Sequence, residues 1–354
     1  MSNGCFRCRP DSRRAAFALF ACTLLAALTA ANAQVVDSGL AINHKLLQPS
    51  PICLGVSGQS AKYYAEGGAK GCNKKAEGCF TVAGGFNPCY TGTLGAMVQD
   101  EKGTRYILSN WHVFANPPKK DPAMGDAINH VAPTDTAGLP APSYCDNKSA
   151  IPTTVPIPPP VPSKMPYARP FQVGMLSAWI EPKVDSVTVD AAIAAVYNGA
   201  ASSAILDIPA FRPVPQDPEQ YAVVVKSGRT TGITYGVVVE IDSWPPDGSG
   251  LINQIVIAPL LPTEPFAEPG DDGALVLQVC NADPGPNVAA NVPLLCPVGL
   301  IWAFGENLGE DGDYRGYTFA NPIKDVIDEF AKKYPKLGKL SLVPSMNCPN
   351  KFPF

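Results

Sequence analysis

The sequence predicts an all-β protein in which two groups of antiparallel strands form two barrels or sandwiches, followed by a C-terminal α-helix. Thirty-eight prolines and 31 glycines accompany a hydrophobic content of 46%, a composition typical of many short strands joined by turns. Runs of β-forming residues bounded by Gly, Pro or Asp fall into two groups. A single segment, near the C-terminus, has a clear amphipathic helical period.

The first 33 residues carry the features of an export signal. Four arginines between Arg7 and Arg14 precede an apolar run from Ala15 to Leu28, and small residues around Ala33 form a cleavage-like motif. Cleavage after Ala33 would leave 354 − 33 = 321 residues. The alternative, a membrane anchor, is disfavoured because the apolar run is short for a bilayer span. We therefore expect a secreted or periplasmic protein without a membrane partner after cleavage.

The cysteine count agrees with export. Eight of the 11 cysteines follow the expected cleavage site, and an even number in an exported chain indicates disulfides. They are Cys53, Cys72, Cys79, Cys89, Cys145, Cys280, Cys296 and Cys348. Cys280 and Cys296 flank one loop and are the first pair that we expect. A metal site is disfavoured because the mature chain has no CxxC pair and few histidines.

The charge pattern narrows the possible partners. The net charge is −4, and no basic block occurs in the mature chain. Nucleic acids and anionic membranes are therefore disfavoured as partners. No cofactor is expected.

The chain divides into five segments. Residues 1–33 are the expected signal peptide, and residues 34–90, rich in Gly, Ser and Cys, form a disulfide-pinned arm. Residues 91–207 and 208–320 hold the two strand groups, and residues 321–354 hold the helix and a tail. The stretch from about 132 to 170 contains Pro-Ile-Pro-Pro-Pro-Val-Pro without a strand or helix period. It is expected to be a long polyproline-like surface loop.

The expected strands are short. In the first group they are Leu94–Val98, Tyr106–Leu108, Phe171–Ile180 and Val187–Val196. In the second group they are Tyr221–Val225, Tyr235–Ile241, Leu251–Ile257, Ala274–Val279, Val298–Phe304 and Tyr314–Phe319. For the helix, Asn321 is expected to be the N-cap and Pro322 the first helical residue. Its buried face is formed by Ile323, Val326, Ile327 and Phe330.

Three sites in the chain have the residue types of a catalytic centre. His112 follows a strand that ends in Ser109-Asn110, which is how a barrel presents a general base at its rim. Asp190 lies in an apolar run, and a buried carboxylate needs a strong partner such as an imidazole. Gly270-Asp271-Asp272-Gly273 is a sharp turn before an apolar strand and can direct backbone N–H groups inward as an oxyanion hole. A structural role is the default for His44 and His130.

Together these motifs resemble the trypsin-like serine peptidases of the chymotrypsin fold, in an exported bacterial-type branch. The matching pieces are Thr91-Gly92-Thr93-Leu94-Gly95-Ala96, Leu108-Ser109-Asn110-Trp111-His112-Val113, Val189-Asp190-Ala191-Ala192-Ile193-Ala194, Lys226-Ser227-Gly228-Arg229-Thr230-Thr231-Gly232 and Pro269-Gly270-Asp271-Asp272-Gly273. They occur in the order of that family. The resemblance implies two six-stranded antiparallel β-barrels with the site between them.

The resemblance also implies residue roles. His112 would be the general base and Asp190 its orienting acid. The N–H groups of Gly270 and Asp272 would form the oxyanion hole, and Asp271 would be the structural acid of the turn. Phe266 would lie near the base of the specificity pocket. The strand from Gly299 to Gly305, with Trp302 and Ala303, would pair with a peptide substrate.

The departure from the family falls on the nucleophile. The family requires Ser after Gly-Asp, and this chain has Asp272. A carboxylate is a poor nucleophile toward amides and gains nothing from a general base. Two carboxylates around His112 would favour the imidazolium, which cannot act as a base. The sequence therefore predicts a peptidase homologue with impaired or no activity that keeps a cleft for a protein or peptide.

Two alternatives remain open from the sequence. In the first, the chain is an active serine endopeptidase and another Ser is the nucleophile, although Ser227 and Ser249 are not obvious substitutes. In the second, His112, Asp190 and Asp272 converge on a divalent cation.

Overall fold

The computed structural model describes most of the two strand groups. The described residues are 44–45, 48, 50–60, 91–115, 122–130, 132, 172–182, 189–245, 250–261, 263–280, 295–305, 316–345 and 348. The expected signal peptide, residues 61–90 of the arm and nearly all of the Pro-rich loop lie outside them. All of the described residues belong to one compact unit, His44–Phe354.

Sixteen strands and two α-helices are found among the described residues. The strands of the N-terminal half are β1 (Ile52–Leu54), β2 (Val56–Ser60), β3 (Gly92–Leu94), β4 (Ala96–Gln99), β5 (Arg105–Ser109), β6 (Ala127–Asn129), β7 (Gln172–Ile180), β8 (Ala191–Val196) and β9 (Ala201–Ile205). Those of the C-terminal half are β10 (Val223–Gly228), β11 (Gly232–Ser243), β12 (Gln254–Pro259), β13 (Leu275–Val279), β14 (Leu295–Phe304) and β15 (Thr318–Pro322). The last strand in the chain, β16 (Ser341–Leu342), belongs to the sheet of the N-terminal half. The helices are α1 (Trp111–Phe114) and α2 (Ile323–Lys333), and a 3₁₀ turn covers Pro335–Leu337.

The C-terminal half is a closed barrel with the strand order β10-β11-β12-β15-β14-β13. Alternating residues of its strands point inward and form a buried apolar core, as expected for a small barrel. The core contains Val224, Val238, Ile255, Ile257, Phe266, Ala267, Ala274, Val276, Val298, Ile301 and Ala320. All six strands predicted for this half are present, and each overlaps its predicted range.

The N-terminal half is an eight-stranded sheet with the order β16-β4-β5-β8-β7-β6-β2-β3. A parallel pair formed by β1 and β9 accompanies it. The predicted all-β fold class with one C-terminal helix is therefore confirmed. In this half the hydrogen-bonded strands form an open sheet rather than a closed ring across the described residues. The predicted strand Leu94–Val98 is interrupted at Gly95, which separates β3 from β4.

The C-terminal helix differs at its start from the prediction. Asn321 is not the N-cap, because β15 continues through Pro322 and the helix begins at Ile323 with Pro322 as its cap. The predicted apolar face is correct, since Ile323, Val326, Ile327 and Phe330 are buried. After the helix, β16 adds to the edge of the first sheet beside β4. The tail therefore joins the two halves. No helix in the described part of the chain is long and apolar enough to span a membrane.

Two disulfides lie among the described cysteines. Cys280–Cys296 closes the loop between β13 and β14, as predicted. Cys53–Cys348 joins β1 to the C-terminal tail across 295 residues of sequence. The other cysteines of the chain lie outside the described residues.

The two halves meet closely at a pair of glycines. A Cβ atom on Gly95 would overlap the carbonyl oxygen of Gly273, so a side chain at this position has no space. Gly273 has a φ of 93°, in the left-handed region that favours glycine. The turn 270–273 of the barrel, called the acidic turn below, is therefore in direct contact with the eight-stranded sheet, called the first sheet below.

We predict that Gly95→Ala destabilises the protein by about 3 kcal/mol, the upper end of overpacking costs, because the obstructing atom is backbone. Chemical denaturation measures this. The matched control is Gly103→Ala, where a Cβ atom meets nothing within 4 Å and only the φ of 82° is unfavourable. That control is expected to cost about 1 kcal/mol. Equal losses in unfolding free energy for the two variants would contradict the close contact between Gly95 and Gly273.

Candidate active site

His112 is placed by the end of a central strand. β5 lies between β4 and β8 in the sheet and ends at Ser109, and Asn110 is extended before the single-turn helix α1 begins. This turn carries His112, which is 9% exposed, to the face toward the barrel. As predicted, His112 follows the end of a strand and two small polar residues, in a tight turn.

Asp190 is fully buried immediately before β8 and faces His112. Its Oδ2 accepts a hydrogen bond from Nδ1 of His112 at 2.6 Å. Its Oδ1 accepts from the backbone N–H groups of Trp111 at 2.7 Å and of His112 at 3.3 Å. Because a carboxylate only accepts, Nδ1 of His112 carries a proton and Nε2 faces away from Asp190. These bonds account for a carboxylate with 0% exposure.

Asp271 fixes the acidic turn from inside the barrel. Its carboxylate accepts from Nζ of Lys226 at 3.1 Å and from Oγ1 of Thr231 at 2.7 Å. It also accepts from the N–H groups of Thr230 at 2.7 Å, Thr231 at 3.2 Å and Glu268 at 3.0 Å. Burial alone would raise the pKa of Asp271, but the Lys226 charge and these bonds lower it overall. Asp271 is therefore held as the carboxylate that the turn is folded around.

The turn exposes two backbone donors. Gly270 has a φ of 100°, and a Cβ atom there would come within 2.6 Å of Thr230 Oγ1. Among the described residues, the N–H groups of Gly270 and Asp272 meet no acceptor, whereas the N–H groups of Asp271 and Gly273 bond to carbonyls. Two free N–H groups on either side of Asp271 are the geometry expected of an oxyanion hole.

Asp272 faces the other nitrogen of His112. Its Oδ2 lies 3.8 Å from Nε2 of His112, too far for a direct hydrogen bond. The residue is 3% exposed, and its Oδ1 is buried without a hydrogen-bond partner. Burial raises the pKa of Asp272, and the neighbouring His112 opposes that shift only in part.

The imidazole is held in its charged form. Burial alone would lower the pKa of His112, but the charge and hydrogen bond of Asp190, assisted by Asp272, raise it from 6.5 to about 10. At neutral pH the ring is an imidazolium between two carboxyl groups. Because the folded-state pKa is raised, this group stabilises the fold fully below pH 6.5, and the contribution is lost as the pH rises through about 10.

Three of the predicted site residues therefore converge: His112, Asp190 and Asp272, with Gly270 beside them. The predicted substrate-binding residues are packed in the barrel, and Ile301, which precedes Trp302, bonds to Gly273 of the turn. Phe266 is fully buried in the barrel core, and its carbonyl accepts from Oγ1 of Thr234. Trp302 is buried on the outer face of the barrel, 6.2 Å from the Phe319 ring, with Ala303 packed on the same cluster. Their role in binding a peptide stays a prediction.

The geometry does not favour the metal alternative. The ring of His112 lies between the carboxylates of Asp190 and Asp272, one on each nitrogen. The three groups therefore do not face one point from which a cation could be coordinated. Among the described residues no cluster of three or more His, Cys, Asp or Glu side chains is arranged to hold a metal ion.

His44 and His130 have structural roles, as expected. His44 contacts the Gly55 carbonyl at 2.7 Å and Oδ2 of Asp207 at 2.9 Å. His130 bonds to the Ser57 carbonyl at 2.8 Å and accepts from the N–H of Gln48 at 3.0 Å. Both are buried within the N-terminal half.

Three further residues shape the site, although the sequence motifs predict no role in it for them. Lys226 directly follows the apolar run Val223-Val224-Val225, a position that indicates a buried charge in need of a partner. Thr93 donates from its N–H to the Asp272 carbonyl at 2.7 Å. Asn321, the predicted helix cap, bonds to Asp190 instead.

Comparison with known proteins adds little to this geometry. No family model matches the chain, and no curated protein matches it. Solved structures that align with it include Protease A of Thermobifida fusca (13% identity, TM-score 0.39, 72% of this chain and 92% of that chain). A chymotrypsin of Cellulomonas bogoriensis aligns at 14% identity and a TM-score of 0.37, over 71% of this chain and 90% of that chain. A glutamic acid specific serine protease aligns at 13% identity and a TM-score of 0.39, over 72% of this chain and 94% of that chain. These values are too low to assign the chain to a family.

We predict that Asp272→Asn lowers the pKa of His112 from about 10, because one of the two neighbouring carboxylates is removed. Asp190→Asn is expected to lower it further, since Asp190 contributes more to the shift. NMR titration of the imidazole C–H resonances measures both, with the resonance of His130 as an internal control. An unchanged His112 pKa in Asp272→Asn would contradict the contact between the two side chains.

We predict that Lys226→Met destabilises the protein by about 3–5 kcal/mol, because it leaves the buried Asp271 carboxylate without its cation. Lys324→Met is the matched control. It removes an ion pair with Asp217 in which the two side chains are 43% and 80% exposed, so a loss of about 0–1 kcal/mol is expected. Denaturant unfolding distinguishes the two outcomes. A loss below 1 kcal/mol for Lys226→Met would be inconsistent with the role given to the pair.

Proposed function

We propose that this protein is an exported trypsin-like serine peptidase homologue that does not hydrolyse peptide bonds and retains a cleft for a protein or peptide. The observation that carries the proposal is the carboxylate of Asp272, which occupies the position facing Nε2 of His112 where a hydroxyl is needed. The other parts of a peptidase centre accompany it: an imidazole bonded to a buried acid, and a turn with two free N–H groups.

The chemistry of a carboxylate explains the loss of activity. A serine attacks an amide carbonyl as an alkoxide and leaves an acyl-enzyme that water hydrolyses. A carboxylate that attacks the same carbon forms an intermediate from which it is itself the better leaving group, so the amide is restored. Its negative charge also opposes the oxyanion that would form beside the N–H groups of Gly270 and Asp272.

The protonation state of His112 adds a second obstacle. A general base must be neutral at the working pH, and an imidazolium with a pKa of about 10 is not. Both carboxylates contribute to that pKa, so the substitution at residue 272 affects the base as well as the nucleophile. In a serine peptidase, removal of a triad member leaves a residual acceleration of roughly 10³–10⁴-fold over water. The acidic replacement is expected to leave less.

The environments of Ser109 and Ser227 do not favour the alternative of an active peptidase in which one of them is the nucleophile. Oγ of Ser109 donates to the Thr93 carbonyl at 2.8 Å. Ser227 is 1% exposed and lies against Gly55. Ser249 lies outside the described residues. Disulfides at Cys53–Cys348 and Cys280–Cys296 support an oxidising, extracytoplasmic location.

The test is active-site labelling of the purified mature protein with a fluorophosphonate, together with hydrolysis of casein and peptide esters. We predict no labelling and no hydrolysis for the natural chain. Asp272→Ser is expected to restore labelling, because the imidazole, its acid and the oxyanion turn are already in place. Asp272→Asn, which removes the charge without supplying a hydroxyl, is the matched control and is expected to stay unlabelled. Robust labelling of any serine in the natural chain would refute the proposal.

A further inference from the structure

We propose that Asn321 is a positioning residue: from the barrel, it holds Asp190 of the opposite half in the orientation that bonds to His112. This inference concerns the pair His112–Asp190 and does not rest on the proposed loss of peptidase activity. A functional peptidase and an inactive homologue would both need that pair to be oriented.

The side chain of Asn321 reaches across the boundary between the two halves. Asn321 lies in β15, opposite Leu300 of β14, and is 0% exposed. Its Oδ1 accepts from the backbone N–H of Asp190 at 3.1 Å, and its Nδ2 donates to the Asp190 carbonyl at 3.1 Å. Nδ2 also donates to the Leu300 carbonyl at 3.4 Å. One amide group therefore satisfies both backbone polar groups of Asp190 and anchors itself to its own sheet.

Asp190 lies just before β8 and outside its ladder of hydrogen bonds. Its backbone N–H and carbonyl therefore depend on side chains for their partners. Besides Asn321, Nδ2 of Asn110 donates to the Asp190 carbonyl at 2.8 Å. Its carboxylate is committed to His112 and to the N–H of Trp111. The backbone of Asp190 is thus held by two amide side chains, one from each half of the molecule. Asn110 and Asn321 together therefore fix where the Asp190 carboxylate lies relative to the imidazole.

The residue type fits this role. The contacts require an acceptor on one atom and two donors on another, and the oxygen and the NH₂ group of an Asn amide provide them. An aspartate at the same place would accept from the Asp190 N–H but could not donate to its carbonyl. A leucine would leave the buried N–H of Asp190 without a partner and would remove one of the two side-chain donors to its carbonyl.

The support is reciprocal, which couples the site to the contact between the halves. Thr93 of the first sheet donates from its N–H to the Asp272 carbonyl at 2.7 Å and from Oγ1 to the Gly270 carbonyl at 2.9 Å. The barrel thus positions Asp190 through Asn321, and the first sheet positions the acidic turn through Thr93. A shift of one half against the other would move the imidazole and the turn apart.

The experiment is NMR titration of His112 in Asn321→Leu, a variant of similar size that can neither donate nor accept. The expected result is a fall of about one unit or more in the pKa of His112 from its value of about 10, because Asp190 loses its fixed orientation. The matched control is Thr318→Val on the same strand. Thr318 is 0% exposed, and its Oγ1 has no hydrogen-bond partner among the described residues.

The outcomes separate positioning from general stability. A lowered pKa of His112 in Asn321→Leu but not in Thr318→Val supports the proposal. An unchanged pKa in a folded Asn321→Leu variant overturns it, whatever the loss in unfolding free energy. If Asn321→Leu does not fold, hydrogen exchange in the natural protein decides. Strong protection of the Asp190 amide and of the Asn321 side-chain amide supports the proposal, and rapid exchange of either overturns it.

Discussion

The hydrogen bond between Asp190 and Nδ1 of His112, 2.6 Å long and removed from solvent, is the interaction on which the rest of the site depends. It fixes which nitrogen of the imidazole carries a proton, directs Nε2 toward the acidic turn, and provides the larger part of the stabilisation of the imidazolium. A buried carboxylate is costly unless its oxygens are all bonded. Here the first turn of α1 supplies two further donors, so the same short segment carries the imidazole and satisfies its partner.

The acidic turn shows how two adjacent aspartates acquire opposite properties from their surroundings. Asp271 points into the barrel, where Lys226 and two threonines lower its pKa and hold it as an anion. Asp272 points into the space between the halves, where burial raises its pKa and Oδ1 lacks a partner. The first residue is an anchor for the fold. The second does not hold the turn, because the anchor and the glycines on either side already fix it.

The contact between the halves explains why the site is well ordered without help from the side chain of residue 272. Gly95 against Gly273, Thr93 against the turn, and Asn321 against Asp190 are packing and hydrogen-bond interactions that do not involve the side chain of residue 272. The stability of the fold is therefore separable from the chemistry of the side chain at residue 272.

The sequence by itself determined the strand content, because β-runs bounded by turn residues are local signals. Its motifs, through their resemblance to a known family, also indicated the order of the site residues and the three side chains that converge. It also identified the apolar face of the helix and the pair Cys280–Cys296. Only the tertiary structure decided the roles of Lys226, Thr93 and Asn321. Their partners are 45, 177 and 131 residues away in sequence, and local pattern assigned Asn321 to a helix cap. Hydrogen bonds across two folded halves leave no period or motif in the chain, since they depend on where the sheets meet rather than on neighbouring residues.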